Sequence, residues 1–202
     1  MKKICLFLLL PLLFFSCLGV QSEIDLNDDG SGTLALTYRV SQMVVNLGTY
    51  SGEKSVIPLP LNEADFRNTA NRIPDIQVTS FSRKETAEDV IIQTRLNFST
   101  AAGLSAFFAA SGNVINFSSS GGQALWKQTI YVKPQETISL DTVNLMKELF
   151  KDYEFSLVLK TPKPVISANI GVISANGREV LFKQSIPEIL GADKDIVWEI
   201  TW

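Results

Sequence analysis

The chain has 202 residues, a formal net charge of −3 at pH 7 and no histidine. The absence of histidine excludes serine–histidine triads, thiol–histidine dyads and nearly every catalytic zinc site. The 18 basic residues are scattered among 21 acidic ones. This distribution excludes the clustered cations that nucleic-acid binding or electrostatic attachment to anionic lipid requires.

Near the N-terminus, Lys2 and Lys3 precede an apolar run over residues 4–15. This run is too short to span a bilayer as a helix, which needs about 20 residues, but it has the length of the apolar part of an export signal. The run leads directly to Ser16 and Cys17, with Phe14 three residues before the cysteine. This arrangement resembles the lipobox of bacterial lipoproteins, in which leucine is usual at the position of Phe14. We therefore predict a signal peptide over 1–16 and a lipid-bearing Cys17.

The other cysteine, Cys5, lies within the predicted signal, so the mature chain would have neither a disulfide nor a free thiol. Residues 17–22 are predicted to form a short lipidated tether, followed by a single domain over 23–202. Acyl chains such as palmitate on Cys17 would anchor the protein to a membrane of the bacterial cell envelope. The sequence leaves open whether this is the inner or the outer membrane.

The first predicted elements are two strands joined by a polar turn. A short strand over 23–26 breaks at Asn27-Asp28-Asp29-Gly30-Ser31-Gly32, and alternation then resumes. An Asp-Gly pair between two alternating strands predicts a hairpin. The second strand is marked by the apolar positions Leu34, Leu36, Tyr38 and Val40.

A helix is predicted next, over 63–72. Asn62 is its candidate N-cap, and Pro74 prevents its continuation. Two strands follow, marked by Ile76 and Val78 and by Val90, Ile92, Thr94, Leu96 and Phe98. Thr100 then caps a short apolar helix that reaches residue 110, and a helix that is apolar on most sides is usually buried.

The C-terminal half continues with a hairpin, a helix and several strands. Residues 114–117 and 125–132 flank a serine- and glycine-rich turn, and Asp141 is a candidate cap for a helix that reaches residue 151. The remaining strands are predicted over 153–159, 166–173, 180–182 and 197–202, with an Asn176-Gly177 turn before the third of these. Short connections between neighbouring strands predict an α+β domain, with an antiparallel sheet and two to three helices on one face.

The turn over 25–32 imitates two ligand-binding motifs. Asp25, Asn27 and Asp29 match the opening of a calcium loop, but its twelfth position is Leu36 instead of glutamate. The glycines of the turn imitate a dinucleotide fingerprint, but they precede a strand where that motif requires a helix. We therefore predict a structural turn, no metal and no cofactor.

The remaining candidates for chemistry are weak. Ser105 lies in an elbow-like run that lacks its second glycine, and the acidic pairs Glu88/Asp89 and Asp193/Asp195 are typical of solvated strand and loop ends. We predict that the protein is not an enzyme.

Six aromatic residues leave two interpretations open: they line a cavity for an apolar ligand, or they fill the core. Regular spacing favours the core. The six are Phe107, Phe108, Phe117, Trp126, Phe155 and Trp198.

Cys17, the Asn27–Gly32 turn with its flanking strands and a late strand around Trp198 together resemble the LppM-type bacterial lipoproteins. The resemblance covers mainly the first 40 or so residues. It implies an α+β domain similar to helix-grip folds and a role in binding a lipid or another hydrophobic ligand at the envelope. The alternative is a structural or interaction module with a solid core that contacts another envelope protein.

Overall fold

The computed structural model describes residues 18–42, 45–46, 60–109, 113–134 and 140–202. The strands are β1 (Leu18–Leu26), β2 (Gly32–Ser41), β3 (Ile76–Glu85), β4 (Asp89–Phe98), β5 (Val114–Ser120), β6 (Gln123–Tyr131), β7 (Glu154–Lys160), β8 (Ser167–Ala168), β9 (Val172–Ile173), β10 (Glu179–Ser185) and β11 (Ile196–Thr201). The helices are α1 (Glu63–Ala70), α2 (Ala101–Phe108), α3 (Leu140–Leu149) and α4 (Ile186–Leu190). The predicted α+β class is confirmed.

The described strands form two sheets, whereas the sequence pattern suggested one. The larger sheet has the order β3-β4-β2-β1-β7-β10-β9, and the smaller has the order β5-β6-β11-β8. Neighbouring strands pair antiparallel except β1 and β7, which are parallel. A parallel pair requires a long crossover between its strands, and here most of the chain separates them.

The predicted hairpin of β1 and β2 is confirmed, with Asp25 opposite Thr33 and Leu26 opposite Gly32. Gly30 adopts a φ of 82°, a backbone conformation that residues with a side chain rarely adopt. A Cβ atom at Gly32 would lie 2.2 Å from the carbonyl oxygen of Asp25. The glycines of this turn therefore serve backbone geometry.

The prediction that the first strand begins near Glu23 is wrong, because β1 begins at Leu18. Val20 pairs with Tyr38 of β2, and Leu18 pairs with Glu154 of β7. Residues 18–22, which were predicted to form a tether, therefore belong to the strand. The pairing with β7 holds them there, and a local sequence pattern does not show a partner so distant in the chain.

The core lies between the inner face of the large sheet and a layer formed by the small sheet together with α1 and α2. Phe182 of the large sheet and Trp198 of the small sheet have ring centroids 6.4 Å apart. On the other side, the ring centroid of Phe66 in α1 lies 5.5 Å from that of Phe81 and 6.3 Å from that of Phe107 in α2. Period-two alternation thus supplies one buried face to each sheet, as expected for antiparallel strands.

Two of the predicted helix caps are confirmed. Asn62 Oδ1 accepts a hydrogen bond from the backbone N–H of Asp65 at 2.9 Å, and Thr100 Oγ1 accepts one from Gly103 at 3.0 Å. Asp141 is different, because α3 begins at Leu140 and places Asp141 in the first turn. None of the helices in the described ranges combines the length and apolar composition needed to cross a bilayer.

Two features of the C-terminal part differ from the prediction. The strand expected over 166–173 is divided into β8, in the small sheet, and β9, in the large sheet. The chain also contains α4, which was not predicted. Its capping box joins Ser185 and Glu188, with Pro187 in the first turn.

Candidate functional site: an apolar groove near the start of the first strand

The predicted lipidation site, Cys17, lies outside the described residues, and β1 begins at the next residue. The start of β1 is tightly packed. A Cβ atom added at Gly19 would lie 2.9 Å from the carbonyl oxygen of Glu154 and 2.9 Å from Cβ of Tyr153. These close contacts with Tyr153 and Glu154 leave no space for a side chain at residue 19.

Tyr153 belongs to a small charged cluster beside Gly19. The guanidinium carbon of Arg39 lies 4.8 Å from the centre of the Tyr153 ring, a cation–π distance. Arg39 Nε is also 3.4 Å from Asp89 Oδ2, and the Tyr153 hydroxyl donates to Asp89 Oδ1 at 3.4 Å. Asp89, one member of the Glu88/Asp89 pair, therefore has a structural role at the end of the sheet.

Backbone register places Leu18, Glu154 and Ser185 in one row across β1, β7 and β10. Two strand spacings, about 10 Å, separate the first and last members of this row. Helix α4 begins directly beyond Ser185, and the backbone N–H of Ile186 donates to the carbonyl oxygen of Tyr153 at 2.9 Å. The start of β1 and α4 thus lie at the same end of the large sheet. We call this the Cys17 end.

A groove of about 480 Å³ lies between β10 and the start of β11. The Phe182 side chain in its wall contacts Trp198, whose indole N–H donates to the carbonyl oxygen of Ile170 at 3.0 Å. This hydrogen bond fixes the backbone that carries the Ile170 side chain. The apolar lining residues are Ile170, Phe182, Ala192, Ile196 and Val197.

A second groove, also of about 480 Å³, adjoins the first and shares Ile170, Phe182 and Gln184 with it. It adds Val172, which is 69% exposed, and Leu181, which is 39% exposed. Val172 and Leu181 are cross-strand partners in β9 and β10. The second groove is also lined by the charged residues Lys183 and Glu188. The two grooves adjoin along one edge of the large sheet, and we call them together the edge groove.

A glycine allows this part of the chain to pass from one sheet to the other. Gly171 has a φ of 95°, and a Cβ atom there would lie 2.7 Å from the carbonyl oxygen of Leu181. Only glycine fits both the backbone conformation and the close approach. The lining residues Ile170 and Val172 flank it, so this glycine positions both side chains.

The rim of the edge groove is polar and carries charges of both signs. Asp193, Lys194 and Asp195 lie on the loop that follows α4, and Asp195 Oδ1 accepts a hydrogen bond from the backbone N–H of Lys133 at 2.8 Å. Gln184 lines both parts of the groove, and its side chain makes no hydrogen bond with another described residue. The Asp193/Asp195 pair thus lies at the rim of an apolar surface.

The turn over 27–31 lies at the opposite end of the large sheet. Asp29 Oδ1 accepts hydrogen bonds from the Ser31 hydroxyl at 2.6 Å and from the Ser31 backbone N–H at 2.9 Å. These two bonds, the hydroxyl first, hold the pKa of the Asp29 carboxyl below its ordinary value. Within the described ranges, no three His, Cys, Asp or Glu side chains are placed to hold a metal ion. Asp29 therefore shapes the turn through its carboxylate.

A polar cleft of about 730 Å³ opens beside this turn. Asp75 contributes to its wall and also accepts a hydrogen bond from the Thr100 hydroxyl at 2.8 Å, so its carboxylate supports the start of α2. The other side chains that give the cleft its polar character are Asn27, Asp29, Ser31, Thr33, Gln77, Asn97 and Ser99.

The six aromatic residues of the sequence analysis belong to the core or pack against it. Trp126 and Trp198 are fully buried, and Phe107 is 8% exposed. Phe108, Phe117 and Phe155 are partly buried and contact the same core. This outcome favours the core interpretation. The elbow-like Ser105 accepts a hydrogen bond from the backbone N–H of Ile115 at 2.9 Å, which joins α2 to β5.

Sequence reasoning did not identify the residues of the edge groove. Ile170, Val172 and Phe182 alternate like ordinary strand residues, and alternation does not reveal that a strand divides between two sheets. Gly171 was the available signal, because an isolated glycine within a strand pattern often marks a bend or a close backbone approach.

Comparison with known proteins adds information on the fold. Neither a protein-family model nor a curated protein sequence matches the chain. Among solved structures, the chain is similar to the folded domain of LppM from Mycobacterium tuberculosis, determined by NMR. The two share 14% sequence identity and superpose with a TM-score of 0.53, over 92% of this chain and 89% of the LppM domain. The resemblance predicted from the sequence is thus confirmed at the level of the fold: the domain has an LppM-like α+β fold.

Proposed function

We propose that this protein is a lipoprotein of the bacterial cell envelope, anchored by acyl chains on Cys17, whose domain binds a lipid or another hydrophobic ligand without catalysing a reaction. The lipobox-like sequence that ends in Cys17 supports the anchor, and the LppM-like fold agrees with a protein of this type. The observation that carries the binding function is the edge groove.

The size and lining of the edge groove fit one apolar chain. Each of its two parts measures about 480 Å³, within the range of about 300–1,000 Å³ that is usual for small-molecule sites. Ile170 and Phe182 line both parts. Burying apolar ligand surface against them contributes about 25 cal/mol per Å². The polar rim leaves a place for the head of an amphipathic ligand.

The anchor is tested by replacing Cys17 with serine. We expect Cys17→Ser to abolish incorporation of a radioactive fatty acid and lipoprotein-type processing, because serine lacks the thiol that accepts the lipid. Labelled protein is measured by autoradiography after immunoprecipitation, with the wild type as the positive control. Retention of the label by the serine variant would contradict the assignment of Cys17.

The edge groove is tested by photo-crosslinking in cells fed a fatty acid that carries a diazirine. We expect lipid adducts on peptides that contain Ile170 or Phe182. Mass spectrometry distinguishes a free lipid from a link to the N-terminal lipopeptide. Ile170→Asp and Val172→Asp should reduce these adducts by about tenfold, because a carboxylate in the groove opposes an apolar chain by at least ~1.4 kcal/mol.

The matched control is Ile166→Asp, which makes the same change at an isoleucine that is 60% exposed and lies outside the edge groove. It should leave the adducts unchanged. Val172→Asp guards against misfolding as an explanation, since Val172 is largely exposed. If lipid adducts are absent from the groove of the folded wild type, the alternative applies: a module with a solid core that contacts another envelope protein.

A further inference from the structure

The position of the edge groove relative to Cys17 suggests where its ligand comes from. Ser185 lies in the same row as Leu18, at the Cys17 end of the large sheet. Phe182 and Gln184 precede Ser185 by three residues and one residue, so they lie within about 10 Å of that row along β10. The groove therefore begins close to the point where the lipidated residue would join the sheet.

The rim of the edge groove faces the same end. Asp193, Lys194 and Asp195 follow α4, which itself starts directly beyond the row. The residue that follows Cys17 in the sequence, Leu18, is already the first residue of β1. A lipid on Cys17 would therefore hold the groove and its rim against the surface of the bilayer.

We propose that the edge groove receives an acyl chain of a zwitterionic phospholipid directly from the bilayer that anchors the protein. This inference rests on the proposed function, since it takes both the lipid on Cys17 and the groove as given. The mixed charges of the rim match a headgroup that carries both signs. A chain that enters at the bilayer surface avoids exposing its apolar surface to water, which opposes transfer by about 0.8 kcal/mol per methylene group.

The experiment uses the lipidated protein reconstituted into phosphatidylcholine vesicles with brominated acyl chains, because bromine quenches tryptophan fluorescence at short range without requiring direct contact with the ring. Trp198 is the reporter, since its ring lies 6.4 Å from that of Phe182 in the groove wall. We expect the wild type to be quenched relative to unbrominated vesicles and Ile170→Asp to lose most of this quenching. Ile166→Asp should behave as the wild type. Mass spectrometry establishes first that every variant carries the lipid.

A displaced domain provides the decisive arm. A flexible linker of 30 residues inserted between Cys17 and Leu18 retains the anchor and β1 but moves the domain away from the bilayer by roughly 30 Å. We expect it to lose most of the quenching. If the linker variant is quenched as strongly as the wild type while Ile170→Asp is not, the groove binds lipid but does not depend on contact with the bilayer, and only the present inference fails.

Two other results are equally informative. If wild type and Ile170→Asp are quenched to the same extent, the groove receives no acyl chain from this bilayer and the present inference fails, while the photo-crosslinking experiment decides separately whether the groove binds another hydrophobic ligand. If quenching occurs only when the acyl chains on Cys17 itself are brominated by metabolic labelling, the protein's own lipid occupies the groove. That result would overturn the bilayer as the source.

Discussion

A serine hydroxyl is buried in the core of the large sheet. Ser22 is 2% exposed, and its Oγ has no hydrogen-bond partner among the described residues. Its neighbours in register are Leu36 of β2 and Leu157 of β7, both apolar and buried. Burying a hydroxyl without a partner opposes folding by about 1–3 kcal/mol.

We expect Ser22→Ala to increase the free energy of unfolding by about 1 kcal/mol, because the substitution removes the unpaired hydroxyl. Equilibrium unfolding in urea measures the change. The matched control is Ser105→Ala, which should decrease stability by about 1 kcal/mol because Ser105 Oγ accepts the backbone N–H of Ile115 at 2.9 Å. A decrease for Ser22→Ala would reveal a partner for this hydroxyl.

Single residues with local roles were predicted well from the sequence. Asn62 and Thr100 are caps because their side chains reach backbone N–H groups three residues ahead, an interaction contained in one turn of chain. The role of Asp89 could not be predicted, since Arg39 and Tyr153 come from distant parts of the sequence. Interactions within one turn of chain can be predicted from the sequence, whereas contacts between residues distant in the sequence cannot.

Among the elements, β1 differs most from its prediction. Its last residues alternate clearly, and they form the hairpin that the Asp-Gly turn indicates. Its first residues include Gly19, which weakens a strand pattern, and they are held by β7 in a parallel pair. The position at which β1 begins therefore depends on its pairing with β7 in the folded sheet.

The position of an inserted linker should distinguish tether from strand. We expect 30 flexible residues inserted after Gln21 to lower the melting temperature, because they separate Leu18–Gln21 from the rest of β1 and disturb its pairing with β7. The same linker inserted before Leu18 should leave it unchanged, since chain ends tolerate insertion. Thermal unfolding followed by circular dichroism measures both. Equal melting temperatures would restore 17–22 as a tether.

At the scale of the whole molecule, the sequence predicted the fold class but not the division into two sheets. Antiparallel hairpins are encoded by neighbouring strands and short turns, as in β5 and β6. The passage from β8 to β9 depends on how the two sheets face each other across the core. The edge groove arises from that passage, so it was inaccessible to reasoning about single elements.

Charge at this scale leads to a prediction about attachment. Removal of the predicted signal peptide over residues 1–16 would take Lys2 and Lys3 from the 18 basic residues, which would leave 16 against 21 acidic ones and a net charge of −5. If acyl chains on Cys17 hold the protein as proposed, we expect ~1 M salt, where the Debye length is about 3 Å, to leave it on the membrane. Immunoblots of salt-washed membranes measure this. Release by salt would indicate an electrostatic or protein-mediated attachment.

The nine residues of β1 also set the distance between the Cys17 end of the large sheet and the turn at its opposite end. At about 3.4 Å per residue, β1 would place the turn over 27–31 up to about 30 Å from the proposed lipid on Cys17. The headgroup layer adds only about 5–8 Å to each side of the hydrocarbon core, so the polar cleft beside this turn would lie in the aqueous compartment. With the proposed lipid on Cys17, one end of the molecule would contact the bilayer and the other would contact water, and a solute bound in the polar cleft would be held at a set height above the bilayer.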